Sequence, residues 1–196
     1  MKKQISSARM SSIGYFSAIV KENHKKLIRL DNKLKTLQLQ LSKSKNEDYD
    51  LERKIFSQEY EIAKISFIVI VFSVMMTESY IYDYAARHLG DSYVKKYFDR
   101  LDTLSKWIKI PKLITGKELS RRQLWAPPLQ KIIKVRNKIT HHKTQDVSIE
   151  NYQKSLTSSN EVKEIALQSI SLLQILADKI SEIDPEETPW VQSFLS

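Results

Sequence analysis

The chain has no cysteine, three glycines and five prolines among its 196 residues. Without cysteine there is no disulfide, no thiol nucleophile and no thiolate-bound zinc. That suits a reducing cytoplasm, where the protein is expected to act. Scarce glycine and proline remove nearly all the turn chemistry that β-hairpins need, and residues of high helix propensity fill the chain, so an all-α fold is expected. A glycine-rich phosphate loop and a His-Glu-x-x-His pair are also missing, and the histidines at 24, 88, 141 and 142 are scattered or merely adjacent. P-loop nucleotide hydrolysis and zinc hydrolysis therefore find no support, and neither metal nor other cofactor is expected. The longest apolar run, Ile65 to Met76, has about twelve residues where a bilayer span needs roughly twenty. It reads as a buried helix segment, and no membrane partner is expected. Met1-Lys2-Lys3 is basic, but polar Gln4 to Ser12 follows in place of an export signal's apolar region.

Acidic residues are scarce in one stretch. Residues 95–143 hold fourteen Lys or Arg against three Asp or Glu, whereas residues 144–196 hold three against nine. The formal net charge of +9 is thus concentrated in the middle of the chain, as binding to a polyanion requires. Lysines that only solvate helix faces are the plainer reading of any one of them.

Residues 1–12 read as a flexible N-terminus. From Ile13 to about Lys45 a helix is predicted, with Leu27, Leu30, Leu34, Leu37 and Leu41 forming a heptad seam. Asn46-Glu47-Asp48-Tyr49-Asp50 offers N-caps for a second long helix to about Leu89, and the short connection makes the two antiparallel. Residues 13–59 are taken as a coiled-coil-like extension and 60–182 as the helical bundle proper. Gly90 ends the second helix. A short helix is expected from Tyr93 to about Lys106, with Asp91-Ser92 as its cap. Trp107 to Pro111 is expected to interrupt helical structure, because Pro111 disfavours the α conformation at Ile110. Lys112 to Ala126 reads as an irregular basic loop. Pro127-Pro128 fits the first turn of a further helix, whose inner face is Leu129, Ile132, Ile133 and Ile139. A last long helix is expected from Ser159 or Asn160 to Glu182. Residues 183–196 form an acidic tail in which Pro185 and Pro189 end regular structure.

The chemistry-bearing stretch is Val135-Arg136-Asn137-Lys138-Ile139-Thr140-His141-His142-Lys143. At about 100° per residue, Arg136 and His141 diverge by roughly 140° on an unbroken helix. They would meet on one substrate only if the helix ends near Thr140, or if a second chain completes the site. Arg136 and His142 diverge by about 120°, and the spacing leaves both pairs open. Glu78, the first charge after the apolar run, is a candidate for partial burial and needs a cationic partner, for which Arg136 or a neighbouring histidine is suited. An arginine that grips a phosphate and a histidine that moves a proton suffice for metal-free RNA cleavage. Lys106, Lys109, Arg121, Arg122, Lys134, Lys138, His142 and Lys143 would attract the RNA backbone. Trp107 and Trp125 lie among these cations, where they either stack bases or pack in the core.

The chain resembles the HEPN superfamily of compact all-α domains over about residues 60–182. The resemblance rests on Arg136-Asn137-Lys138-Ile139-Thr140-His141, on Glu78 to Tyr84, and on Leu101 to Trp107 leading to Pro111. It implies a metal-independent endoribonuclease, a toxin or phage-defence effector, whose motif residues from two protomers meet at a twofold interface. Arg136 and His141 would then be catalytic, with Asn137 orienting them and Glu78 in support. Implied partners are RNA, a second copy of the chain, and a cognate antitoxin or regulatory protein. Lys143 stands where members modified by a nucleotidyltransferase antitoxin carry tyrosine, which argues against that mode of control. Some superfamily members are non-catalytic modules that bind RNA or protein, and this is the alternative reading.

Overall fold

The computed structural model describes residues 11–44, 47–120, 123–141 and 149–195, with backbone alone at 149–159 and 193–195. Among the described residues there are seven α-helices, one 3₁₀ turn and no strand, so the all-α expectation holds. The hairpin of α1 (Ile13–Lys43) and α2 (Tyr49–Leu89) forms as the heptad spacing predicts. Asp48 starts α2 by accepting a hydrogen bond from the Leu51 N–H at 3.0 Å, and Asp50 and Glu52 place negative charge in the first turn. Gly90 stops α2 at φ +85°, a conformation that a Cβ disfavours. Leu27 and Leu34 of α1 are buried, as are Ile62, Ile65 and Val69 of α2, while Leu30, Leu37 and Leu41 are half-buried. Gln58 crosses the seam to the Leu30 carbonyl at 2.9 Å.

The remaining elements are α3 (Asp91–Tyr97), α4 (Thr103–Thr115), α5 (Ala126–Thr140), α6 (Ile149–Ile183), a 3₁₀ turn at Pro185–Glu187 and α7 (Thr188–Leu195). Both α4 and α5 pack on α2, while α6 lies against α1, α2 and α5. One apolar core runs through the seven α-helices, from Ile13 in α1 to Val191 in α7.

Several local expectations are corrected. The region after Gly90 holds two helices, because the Asp102 carboxylate accepts from the Ser105 N–H (2.9 Å) and its hydroxyl (2.6 Å) and so starts α4 afresh. Helix α4 then runs through Pro111 to Thr115, so no irregular loop begins at Lys112. Proline inside a helix costs about 3 kcal/mol. Burial of Trp107, Ile110 and Pro111 on one face of α4 outweighs that cost. Gly116, in the left-handed conformation, ends the helix. The last long helix begins at Ile149, about ten residues before the expected cap. The length argument against a bilayer span also fails, since α2 has an eighteen-residue window with enough apolar character. Half of that window is buried within the protein.

The acidic tail is helical and packed. Pro185 and Pro189 occupy first-turn positions, where a missing N–H costs nothing, and so they begin elements instead of ending them. Glu187 is 3% exposed and receives both ends of the Arg87 guanidinium, Nη1 at 2.5 Å and Nη2 at 2.8 Å. Arg87 Nε donates to Asp83 at 2.9 Å, and the guanidinium stands 4.9 Å from the Trp190 ring. The Tyr80 hydroxyl donates to Glu187 and that of Tyr84 to Asp184. Burial, then the adjacent carboxylates, push both phenols far above their usual range and keep them protonated as donors. The group pins the C-terminal turn onto α2. Removing one partner of a buried pair strands the other, so Glu187→Ala should lower unfolding free energy by about 3 kcal/mol in urea denaturation. Unchanged stability would show the clamp to be dispensable.

A second buried pair ties α1 to α6. Asp31, 5% exposed, meets Lys163 at 3.0 Å and Lys35 at 2.7 Å. Burial opposes ionisation of Asp31, but hydrogen bonds from Lys35 and Lys163 outweigh it and hold its carboxyl below the ordinary 3.8. A depressed carboxylate stabilises the fold above its unfolded value and loses that contribution as pH falls through its folded value. The wild-type urea midpoint should therefore drop as pH falls below 3.8, and Asp31→Asn should start lower and lose less over the same range. Parallel acid limbs would exclude Asp31 as their source.

Candidate active site at the end of helix α5

Helix α5 opens on Ala126-Pro127-Pro128 and turns Leu129 and Ile132 fully into the core, with Ile133 and Ile139 half-buried beside them. Arg136 comes two turns after Leu129 and so lies on the same inward face. Its side chain is 20% exposed. Nη2 donates to Glu78 Oε1 of α2 at 2.5 Å, and the Thr103 hydroxyl of α4 donates to that same oxygen at 2.7 Å. Glu78, 36% exposed at its side chain, is partly buried and has found the cationic partner expected for it. Arg136 Nε is buried with no acceptor. An unanswered buried N–H is costly.

The helix ends at Thr140, whose hydroxyl donates to the Arg136 carbonyl at 3.0 Å. His141 is the cap, its N–H donating to the Asn137 carbonyl at 3.0 Å. One condition read from the spacing is thus met. The structure does not join the two side chains, for Arg136 bonds to Glu78 of α2 while His141 is exposed, and no hydrogen bond links them. The Asn137 side chain is exposed and bonds to neither among the described residues.

Lys109, Lys134 and Lys138 are exposed, and Lys106 is half-buried at the edge of an open polar cleft of about 480 Å³. Ser11, Ser12, Glu78 and Ser79 share that cleft, which therefore reaches the carboxylate holding Arg136. Arg121, Arg122, His142 and Lys143 lie outside the described residues. Trp107 and Trp125 are buried, 2% and 0% exposed, and serve the core instead of stacking bases. The Trp107 N–H donates to the Thr77 carbonyl and that of Trp125 to Gln123. Among the described residues no three His, Asp or Glu side chains converge on a point a metal could occupy. Thr103 was not expected at the site, for it precedes Arg136 by 33 positions and its only local signal is to follow a helix cap.

No family model, curated protein or solved structure matches the chain.

If the carboxylate anchors the guanidinium, a double-mutant cycle of Glu78→Gln and Arg136→Gln should give a coupling of about 1 kcal/mol in unfolding free energy. This is the modest figure for a pair that solvent still reaches. Additive losses would mean that the contact carries no energy.

Proposed function

We propose that the protein is a metal-independent endoribonuclease of the HEPN type, a cytoplasmic toxin or phage-defence effector acting as a homodimer. The observation that carries this reading is the state of Arg136. It is mostly buried, bonded to Glu78, whose same oxygen also accepts from Thr103, left with one unanswered N–H, and set five residues before an exposed histidine. The surrounding stretch, with fourteen cations against three acids, supplies the field that draws a phosphate backbone in.

In this reading the Arg136 guanidinium offsets the charge that grows on the phosphate oxygens in the transition state. His141 takes the proton from the ribose 2′-hydroxyl as that oxygen attacks phosphorus, or delivers one to the departing 5′-oxygen. The P–O5′ bond breaks as P–O2′ forms, leaving a 2′,3′-cyclic phosphate and a 5′-hydroxyl. Because no bond joins the two side chains of one protomer, a second α5 supplies the missing group. A cognate antitoxin or regulatory protein would act by covering this shared face. The second reading is a non-catalytic HEPN-like module that binds RNA or protein. The observation favouring it is that no bond joins Arg136 to His141.

Single-stranded RNA incubated with the protein in EDTA should be cut, and Arg136→Ala and His141→Ala should each slow cutting by about a hundredfold or more. Mixing the two variants should restore a fraction of the activity if sites are shared. RNA retained but left whole by the wild type would favour the binding module, and indifference to RNA would dismiss both readings.

A further inference from the structure

We infer that the solvent face of α1 is a docking track for a single strand of RNA that continues from the cleft beside Glu78. This deepens the ribonuclease reading and rests on RNA being the partner. At about 100° per residue, Tyr15, Ala18, Lys21, Lys25, Arg29 and Lys33 fall within an arc of roughly 120°. That arc is opposite Ile13, Val20, Leu27 and Leu34, which α1 buries in the core. Lys25, Lys26, Arg29 and Lys33 are exposed, Lys21 is half-buried, and Glu22 is the one acid on that face. None of these five cations is in an ion pair among the described residues, unlike Lys35 of α1 and Lys163 of α6, which both meet Asp31. Side chains from Ala18 to Arg29 border an open groove of about 490 Å³.

Continuity with the site makes this more than a solvated face. Ser11 and Ser12, at the entry to α1, line the same cleft as Glu78 and Lys106. Three residues on, Tyr15 is 75% exposed, an aromatic ring between the cleft and the first lysine. Alternation of a stacking ring with backbone-binding cations is how single-strand tracks are built. From Tyr15 to Lys33 the ridge extends about 27 Å at 1.5 Å per residue. An anionic membrane would be drawn by the same charge, but the apolar face of α1 is already spent on the core and cannot enter lipid.

The test uses full-length protein and fluorescence anisotropy with two labelled oligouridylates, of about four and about twenty nucleotides, bracketing usual single-strand footprints. Lys25→Glu, Arg29→Glu and Lys33→Glu combined should weaken the long RNA by at least about tenfold and flatten its salt dependence, with little effect on the short one. Tyr15→Ala should weaken the long RNA severalfold and Tyr15→Phe should restore it. Circular dichroism confirms that these surface variants stay folded. Unchanged affinity of the triple variant for the long RNA would overturn the inference, as would wild-type binding to phosphatidylserine vesicles with none to RNA. The two ideas fail separately. Long-RNA binding that depends on α1 without any cleavage retains the track and removes the nuclease. Cleavage lost in Arg136→Ala but indifferent to the α1 variants does the reverse.

Discussion

A charge taken out of water inside a helical bundle has to meet an opposite charge, and among the described residues three such meetings tie distant parts of the chain together. Asp31 and Lys163 join α1 to α6, Arg87 and Glu187 join α2 to the C-terminal turn, and Glu78 and Arg136 join α2 to α5. The apolar core sets which helices touch, but apolar contacts alone tolerate sliding. Paired charges resist it, since a shift of a few ångströms would leave a carboxylate or a guanidinium buried without its partner. The placement of α5, and so of the candidate site, depends on that constraint.

The three pairs differ in how fully the charged groups are bonded, most plainly between the two arginines. Glu187 receives a two-pronged grip from Arg87 and a phenol from Tyr80, and the third guanidinium nitrogen goes to Asp83. Asp31 has two lysines, with Lys163 3.0 Å from an Oδ1 that accepts no hydrogen bond of good geometry. Arg136, by contrast, makes one bond to an oxygen already shared with Thr103 and keeps a buried N–H unanswered. A structural arginine saturates its donors. One that is held in place yet under-used has capacity left for a ligand, which is why the ribonuclease reading is centred on it and not on the stronger clamp at Arg87.

Much of this was legible in the order of residues, and what escaped shares a cause. The all-α class, the hairpin, the end of α2 at Gly90 and the proline start of α5 follow from periodicity and local backbone chemistry, and local rules see them. The need of Glu78 for a cation was also visible, because a charge after a long apolar run is a local anomaly. Pro111 misled because its cost is local while the burial that offsets it is tertiary. Pro185 and Pro189 misled in the opposite sense, since a first-turn proline and a helix-ending proline look alike until the neighbouring contacts are known. Thr103 and Glu187 act on residues 25 and 100 positions away, Glu78 and Arg87, and no periodic pattern reports that.

The geometry at the end of α5 carries one more step. A helix that continued past Thr140 would hold His141 at a fixed angle from Arg136, permanently on another face. Because the helix stops there, the histidine backbone leaves the α conformation and its side chain is set by what comes next in space, not by helical phase. The arginine keeps the opposite condition, held by Glu78 of α2, whose carboxylate is itself bonded by Thr103 of α4. One group is thus fixed and the other free to be placed by its surroundings. On the ribonuclease reading, that asymmetry is what a composite site asks for. The rigid guanidinium defines where a phosphate will sit, and an imidazole at an open helix end is the part that an adjoining surface, most simply a second copy related by twofold symmetry, can bring to bear on it.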